Sequence, residues 1–253
     1  MAEMTLDDIR AGQDTRWFYV GMAGVCVLVA FGGFVPTYWA KLASGTFGGA
    51  PILHIHGALF FAWTLFFFAQ TALVAGGQTV RHRQWGFTGI ALATAMGITV
   101  VLGTINAIKV AETIALGDAA RRFAVVALSA LVLFATFIWL AIANVQRPQA
   151  HKRYMLLAMV PLLHAATARI FLTLFAPPGA VGPPPVFVAI PPGLTVDLFI
   201  VAMLVHDHRT LGRMHPITIW GGVANVAVQV LTVPVSATAA WMAVATWIGR
   251  LAG

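Results

Sequence analysis

Residues 52–75 read ILHIHGALFFAWTLFFFAQTALVA, a run with no Asp, Glu, Lys or Arg. Coiled as a helix at 1.5 Å per residue it is about 36 Å long, enough to cross the hydrocarbon core of a bilayer. The reading extends outward in both directions. Comparable runs lie at about 17–39, 85–108, 122–145 and 153–175, with a shorter one at about 193–208 and a seventh at about 216–233. The connections are short, so neighbouring spans are expected to be antiparallel. The fold class predicted is an all-α integral membrane bundle of seven transmembrane helices plus a C-terminal interfacial helix.

Composition agrees with that reading. Of 253 residues, 60% are hydrophobic and 9% charged, against about 25% charged in a soluble domain. The formal charge of +7 is explained by loop lysines and arginines, and no basic domain remains outside the spans to bind nucleic acid. Cys26 is the single cysteine, which excludes an internal disulfide and any cysteine-based metal motif.

Residues 1–16 form an expected cytoplasmic N-terminal segment, with Glu3, Asp7, Asp8 and Asp14 set against Arg10 and Arg16. That acidic start does not suit a secretory signal, so the first span is expected to be retained. Thr5 is a candidate helix cap. Residues 17–253 then form one transmembrane domain.

Orientation follows from the basic residues. Arg10, Arg16, Arg81, Arg83, Arg147, Lys152, Arg153, Arg209 and Arg213 fall on the side of the N-terminus, nine in all; the opposite side holds Lys41, Lys109, Arg121, Arg122 and Arg250. The larger count is expected inside the cell, so the N-terminus is expected in the cytoplasm and the C-terminus outside.

Two stretches interrupt the pattern. Residues 176–193 hold seven of the 13 prolines and are read as a non-helical outer loop, because proline lacks a donor and restricts its predecessor. A cavity is expected there, since irregular backbone at membrane depth needs protein or water to cover it. Pro234 is expected to end or kink span seven. Residues 235–248, with Trp241 and Trp247, then read as an interfacial helix.

Several familiar chemistries are excluded. The lysines, at 41, 109 and 152, lie outside the spans as drawn, so no retinal Schiff base can form within them. The histidines, at 54, 56, 82, 151, 164, 206, 208 and 215, include no pair three or four apart, which removes the di-iron hydroxylase pattern. What remains is a set of candidate site residues. His54 and His56 open span two and point about 200° apart on a helix. His164, eleven residues past Arg153, lies roughly 16 Å into the bilayer. Asp197, read as the only acid inside a span, is expected to pair with Arg169, whose permanent charge needs a partner there. At the inner face His82 and His151 cap two spans at similar depth. His206, His208 and His215 read as headgroup-facing, and Arg81, Arg83, Lys152 and Arg153 as contacts for anionic lipid.

Arg81-His82-Arg83-Gln84-Trp85-Gly86 and His151-Lys152-Arg153-Tyr154-Met155, followed by Arg169, resemble a family of bacterial multi-span membrane proteins with H-R-x-x-G and H-[KR]-R-x-M signatures. The resemblance includes His54-Ile55-His56-Gly57 and Met214-His215-Pro216, covers most of the chain from span two onward, and brings no established activity. More distantly, histidines paired across helices look like those of small b-type membrane cytochromes, which implies haem b. Span four carries no histidine.

The expected function is haem- or quinone-linked electron transfer by a membrane oxidoreductase. His56 and His164 would be ligands, Arg169 and Asp197 their charged companions, and His82 with His151 a second candidate pair. An alternative is a metal-dependent membrane enzyme with Zn, Fe or Cu on His54, His56, His164 and Asp197. Another is an accessory subunit of a respiratory or photosynthetic complex, its aromatic run Phe60–Phe68 meeting partner subunits or lipid. A transporter is suggested by the broken outer segment, but no internal repeat supports it.

Overall fold

The computed structural model describes residues 6–251, with side chains from Arg16 onward; the Thr5 cap lies outside them. Seven helices are long and apolar enough to cross a membrane: Arg16–Ala43, Pro51–Ala75, Gly86–Glu112, Gly117–Ala143, Pro148–Phe175, Val186–Leu211 and Pro216–Ser236, numbered here as spans one to seven. Among the described residues there is no strand. The chain is an all-α seven-helix bundle of membrane type. One end carries Arg81, Arg83, Arg147, Arg209 and Arg213 in its connections and helix ends and is called the basic end; the other carries the proline-rich segment.

Spans one to five close a ring in which each packs on the next and span five returns to span one. Its interior is filled by Trp63, Phe67, Met96, Phe134 and Met159, all buried. Trp63 donates its indole N–H to Met159 Sδ at 3.2 Å, tying span two to span five. Spans six and seven cover the far side of span five. Leu156, Leu157, Ala158 and Met159 are therefore completely enclosed, which explains why span five is apolar around its whole circumference over these turns.

Close helix approach depends on small residues, as is usual where lipid supplies no hydrophobic contrast. A Cβ on Gly33 of span one would lie 2.5 Å from the Ala166 carbonyl oxygen of span five. On Gly221 of span seven it would lie 2.3 Å from Leu157.

Several boundaries differ from expectation. Span five begins at Pro148 and span four at Gly117, little more than one turn earlier than their apolar runs. Proline suits the first helical position because its missing N–H would be unpaired there anyway. The same rule corrects the outer loop. Residues 186–189 form a 3-10 turn and residues 190–196 an α-helix with Pro191 and Pro192 in its first turn, so the non-helical stretch ends near Pro185. Span six is 26 residues long, not a short helix, and it breaks at Asp197 before resuming over Leu198–Leu211. Span one contains a π-helical segment, Val35–Trp39, entered at Pro36. Span seven continues through Pro234 to Ser236. The last helix, Ala239–Arg250, lies against spans three and four, burying Ala245 and Ile248 while Trp241 donates to the Arg121 carbonyl at 2.9 Å.

Candidate functional site

Polar side chains inside the bundle fall into separate groups, and the groups differ from those expected. At the proline end His54 is hydrogen-bonded through Nδ1 to Tyr38 Oη at 3.0 Å, and His56 through Nδ1 to Thr99 Oγ1 at 3.3 Å. The two rings thus face spans one and three separately, as their spacing implies. Arg169 stays exposed, its guanidinium 5.8 Å from the Phe34 ring. The expected Arg169–Asp197 pair does not form. Thr167, two residues earlier on span five, donates to the Pro192 carbonyl at 3.1 Å and so marks the face turned toward span six; a two-residue step rotates Arg169 about 200° away from it.

His164 does face span six, donating Nε2–H to the Ala189 carbonyl at 2.7 Å. Asp197 instead meets span seven. Its Oδ1 accepts from Asn225 Nδ2 at 2.6 Å and Gln229 Nε2 at 3.2 Å. Asn225 and Gln229 are four apart, hence on one helix face, and that spacing was visible in an otherwise apolar run. His164, Asn225, Gln229 and Ser129 line a cavity of about 30 Å³ between spans four, five and seven, room for about one water. His54, His56, His164 and Asp197 therefore do not converge. Among the described residues no three of His, Cys, Asp and Glu gather as metal ligands.

The basic end holds a buried ion pair that the sequence reading missed. Arg153 and Asp207 are each 1% exposed. Arg153 Nε donates to Asp207 Oδ1 at 3.1 Å and Oδ2 at 3.3 Å, and its Nη2 also donates to Oδ1. Nη1 donates to the Gln149 carbonyl at 2.7 Å and to its Oε1 at 2.9 Å, and Thr218 donates to Asp207 Oδ2 at 2.6 Å. Spans five, six and seven are joined in this way. Asp207 lay within the apolar run as drawn, so Asp197 was not the only intramembrane acid. Nearby, Lys152 Nζ sits 4.7 Å over the Tyr19 ring, and His206 stacks on Phe18 at 3.8 Å.

His82 and His151 are brought together. Their ring centroids are 6.1 Å apart and nearly perpendicular. His82 sits on the short helix Thr79–Gln84 between spans two and three, and His151 in the first turn of span five. His151 donates Nδ1–H to the Ala141 carbonyl of span four at 2.9 Å, which orients its ring. His82 Nδ1 is buried with no hydrogen-bond partner, and Gln70 Oε1 nearby in sequence is likewise orphaned. Burial holds the His82 imidazole below the ordinary histidine pKa; the His151 ring acts in the same sense, a bond to the Gln70 main chain opposes it, and the Arg83 charge adds to the lowering. His215 is also held below its ordinary value, by burial first and then by the Arg153 charge. Its Nδ1 accepts from Ile217 N–H at 3.2 Å and caps span seven.

No family model, curated protein or solved structure matches the chain.

Proposed function

We propose that the protein is a b-type haem protein that transfers electrons, in which His82 and His151 would hold the haem iron. The observation that carries this is the approach of two imidazoles to 6.1 Å between centroids, with their planes nearly perpendicular. An iron bound by a nitrogen on either side at about 2.0 Å separates ring centroids by roughly 6 Å. Ligating histidines characteristically anchor their other nitrogen on a carbonyl, which fixes tautomer and orientation. His151 is anchored in that manner on Ala141. His82 offers a buried nitrogen with nothing else to bind, and its lowered pKa favours the neutral form a metal requires.

The surroundings suit a porphyrin. Arg81 and Arg83 flank His82, and Lys152 follows His151, supplying positive charge for propionates. His56 and His164 are less suited as a pair, because they face different elements, His56 toward Thr99 of span three and His164 toward Ala189 of span six. The excess of basic residues at the His82 end supports placing that end in the cytoplasm of a bacterial inner membrane.

The test is the absorption spectrum of protein purified from haem-replete cells. A Soret band is expected, with a sharp low-spin spectrum on reduction. His82→Ala or His151→Ala should abolish or strongly weaken it, while His164→Ala should retain it. No Soret band and no extractable haem would overturn the proposal, and a bound metal without porphyrin would favour the metal-dependent alternative.

A further inference from the structure

The break in span six places a carboxylate opposite two amides in a nest where both amide nitrogens converge on one carboxylate oxygen and leave the other oxygens unmet. Asp197 is 8% exposed and Asn225 1%. After the two amide N–H groups have bonded to Asp197 Oδ1, three oxygens are left buried without a partner: Asp197 Oδ2, Asn225 Oδ1 and Gln229 Oε1. Such groups each cost free energy in a low-dielectric interior. The nest is also closely built. A Cβ on Gly193 would lie 2.8 Å from Gln229 Oε1, so only glycine admits the amide there. Among the described residues no ion pair is made by Asp197, whose charge is the one formal charge in the nest.

We propose that Asp197, Asn225 and Gln229 bind a monovalent cation of sodium size. Hard cations take carboxylate, amide and water oxygens, and these are the atoms presented. One negative charge matches one positive charge, whereas a divalent ion would leave an uncompensated charge in the membrane. The adjoining 30 Å³ cavity, lined by Asn225 and Gln229 together with Ser129 and His164, has room for one water to complete the coordination. Discontinuous spans are a recurring setting for such ions, because an interrupted helix frees polar groups at membrane depth. A proton on Asp197 Oδ2 supplies one donor for the two amide oxygens and leaves one of them unmet, whereas a metal ion can take all three oxygens as ligands. This inference is independent of the haem proposal, since the two sites share no residue.

The decisive experiment is equilibrium binding of ²²Na⁺ to the full-length protein in detergent or nanodiscs at fixed pH. Saturable binding near one ion per chain is expected, displaced by unlabelled NaCl and not by equimolar choline chloride. Thermal unfolding should shift upward with NaCl over choline chloride by a saturating amount. Gln229→Ala should weaken binding at least about tenfold, and Asp197→Asn should abolish it; the first variant keeps the site testable if the second does not fold. Absence of saturable ²²Na⁺ binding to the wild type would overturn the proposal. So would unchanged binding in Asp197→Asn, or stabilisation that follows pH alone.

Discussion

Arg153 and Asp207 hold opposite full charges where almost no solvent reaches, and every polar atom of the pair has a partner. Removing one member leaves the other charged and enclosed, at a cost of about 3–5 kcal/mol. Asp207→Asn should therefore lower unfolding stability by that amount, read from denaturant or thermal titration in detergent. A double Arg153→Leu, Asp207→Leu variant should recover much of the loss, since an apolar pair of similar size avoids desolvating two ions. Titration gives a second expectation at this scale. His82 and His215 are held below the ordinary histidine value of about 6.5. Above that value they are neutral in both folded and unfolded chains; as pH falls below it, the unfolded chain takes up protons first. Stability should be full above about pH 6.5 and decline below it, and His215→Asn, which keeps the cap without titrating, should flatten part of that decline. At residue level the sequence was only partly legible. It named His82 and His151 as a pair at similar depth and placed His164 deep in the bilayer. It misjudged Arg153, because a cation near a span start looks the same whether it faces lipid headgroups or a buried acid. Which face of a helix turns inward is decided by packing, and one chain's periodicity is mute where all faces are apolar.

Helices in this bundle are shaped by proline and glycine more than by charge. Pro36, Pro148, Pro191, Pro192 and Pro216 all sit in first turns or at a π segment, where the missing N–H costs little. That explains how a proline-dense stretch becomes the start of a full-length span, a result hidden from any reading that treats each proline as a helix breaker. Glycines set the spacing between spans. Gly33→Ala must push span one off the Ala166 backbone, which cannot yield as a side-chain tip would, and should cost about 1–3 kcal/mol. Gly32→Ala meets nothing within 4 Å and should be close to neutral. Comparing the two melting temperatures checks both expectations.

The seven-helix architecture was the most legible level, because transfer of apolar surface into lipid depends on composition over some twenty residues and not on which neighbour each residue touches. The ring of five with two covering helices was not legible, since that arrangement is chosen by interhelical packing. Topology can be tested with the native chain as background, because Cys26 is fully buried and should stay silent to thiol reagents. Single cysteines placed at Gln78 and Ala180 lie in loops at opposite ends. If the basic end faces the cytoplasm, an impermeant maleimide added to intact spheroplasts should label Ala180→Cys and leave Gln78→Cys unmodified; the reverse pattern would invert the orientation.

The linkage of Arg153 to Asp207 also constrains how the polypeptide is made. The two are 54 positions apart, so span five leaves the ribosome and enters the insertion machinery while its counter-ion is still being synthesised. During that interval the guanidinium must be shielded by headgroups, water or a chaperone. Messages truncated before span six should thus yield chains that the cell's proteases clear quickly, making this junction a checkpoint in biogenesis.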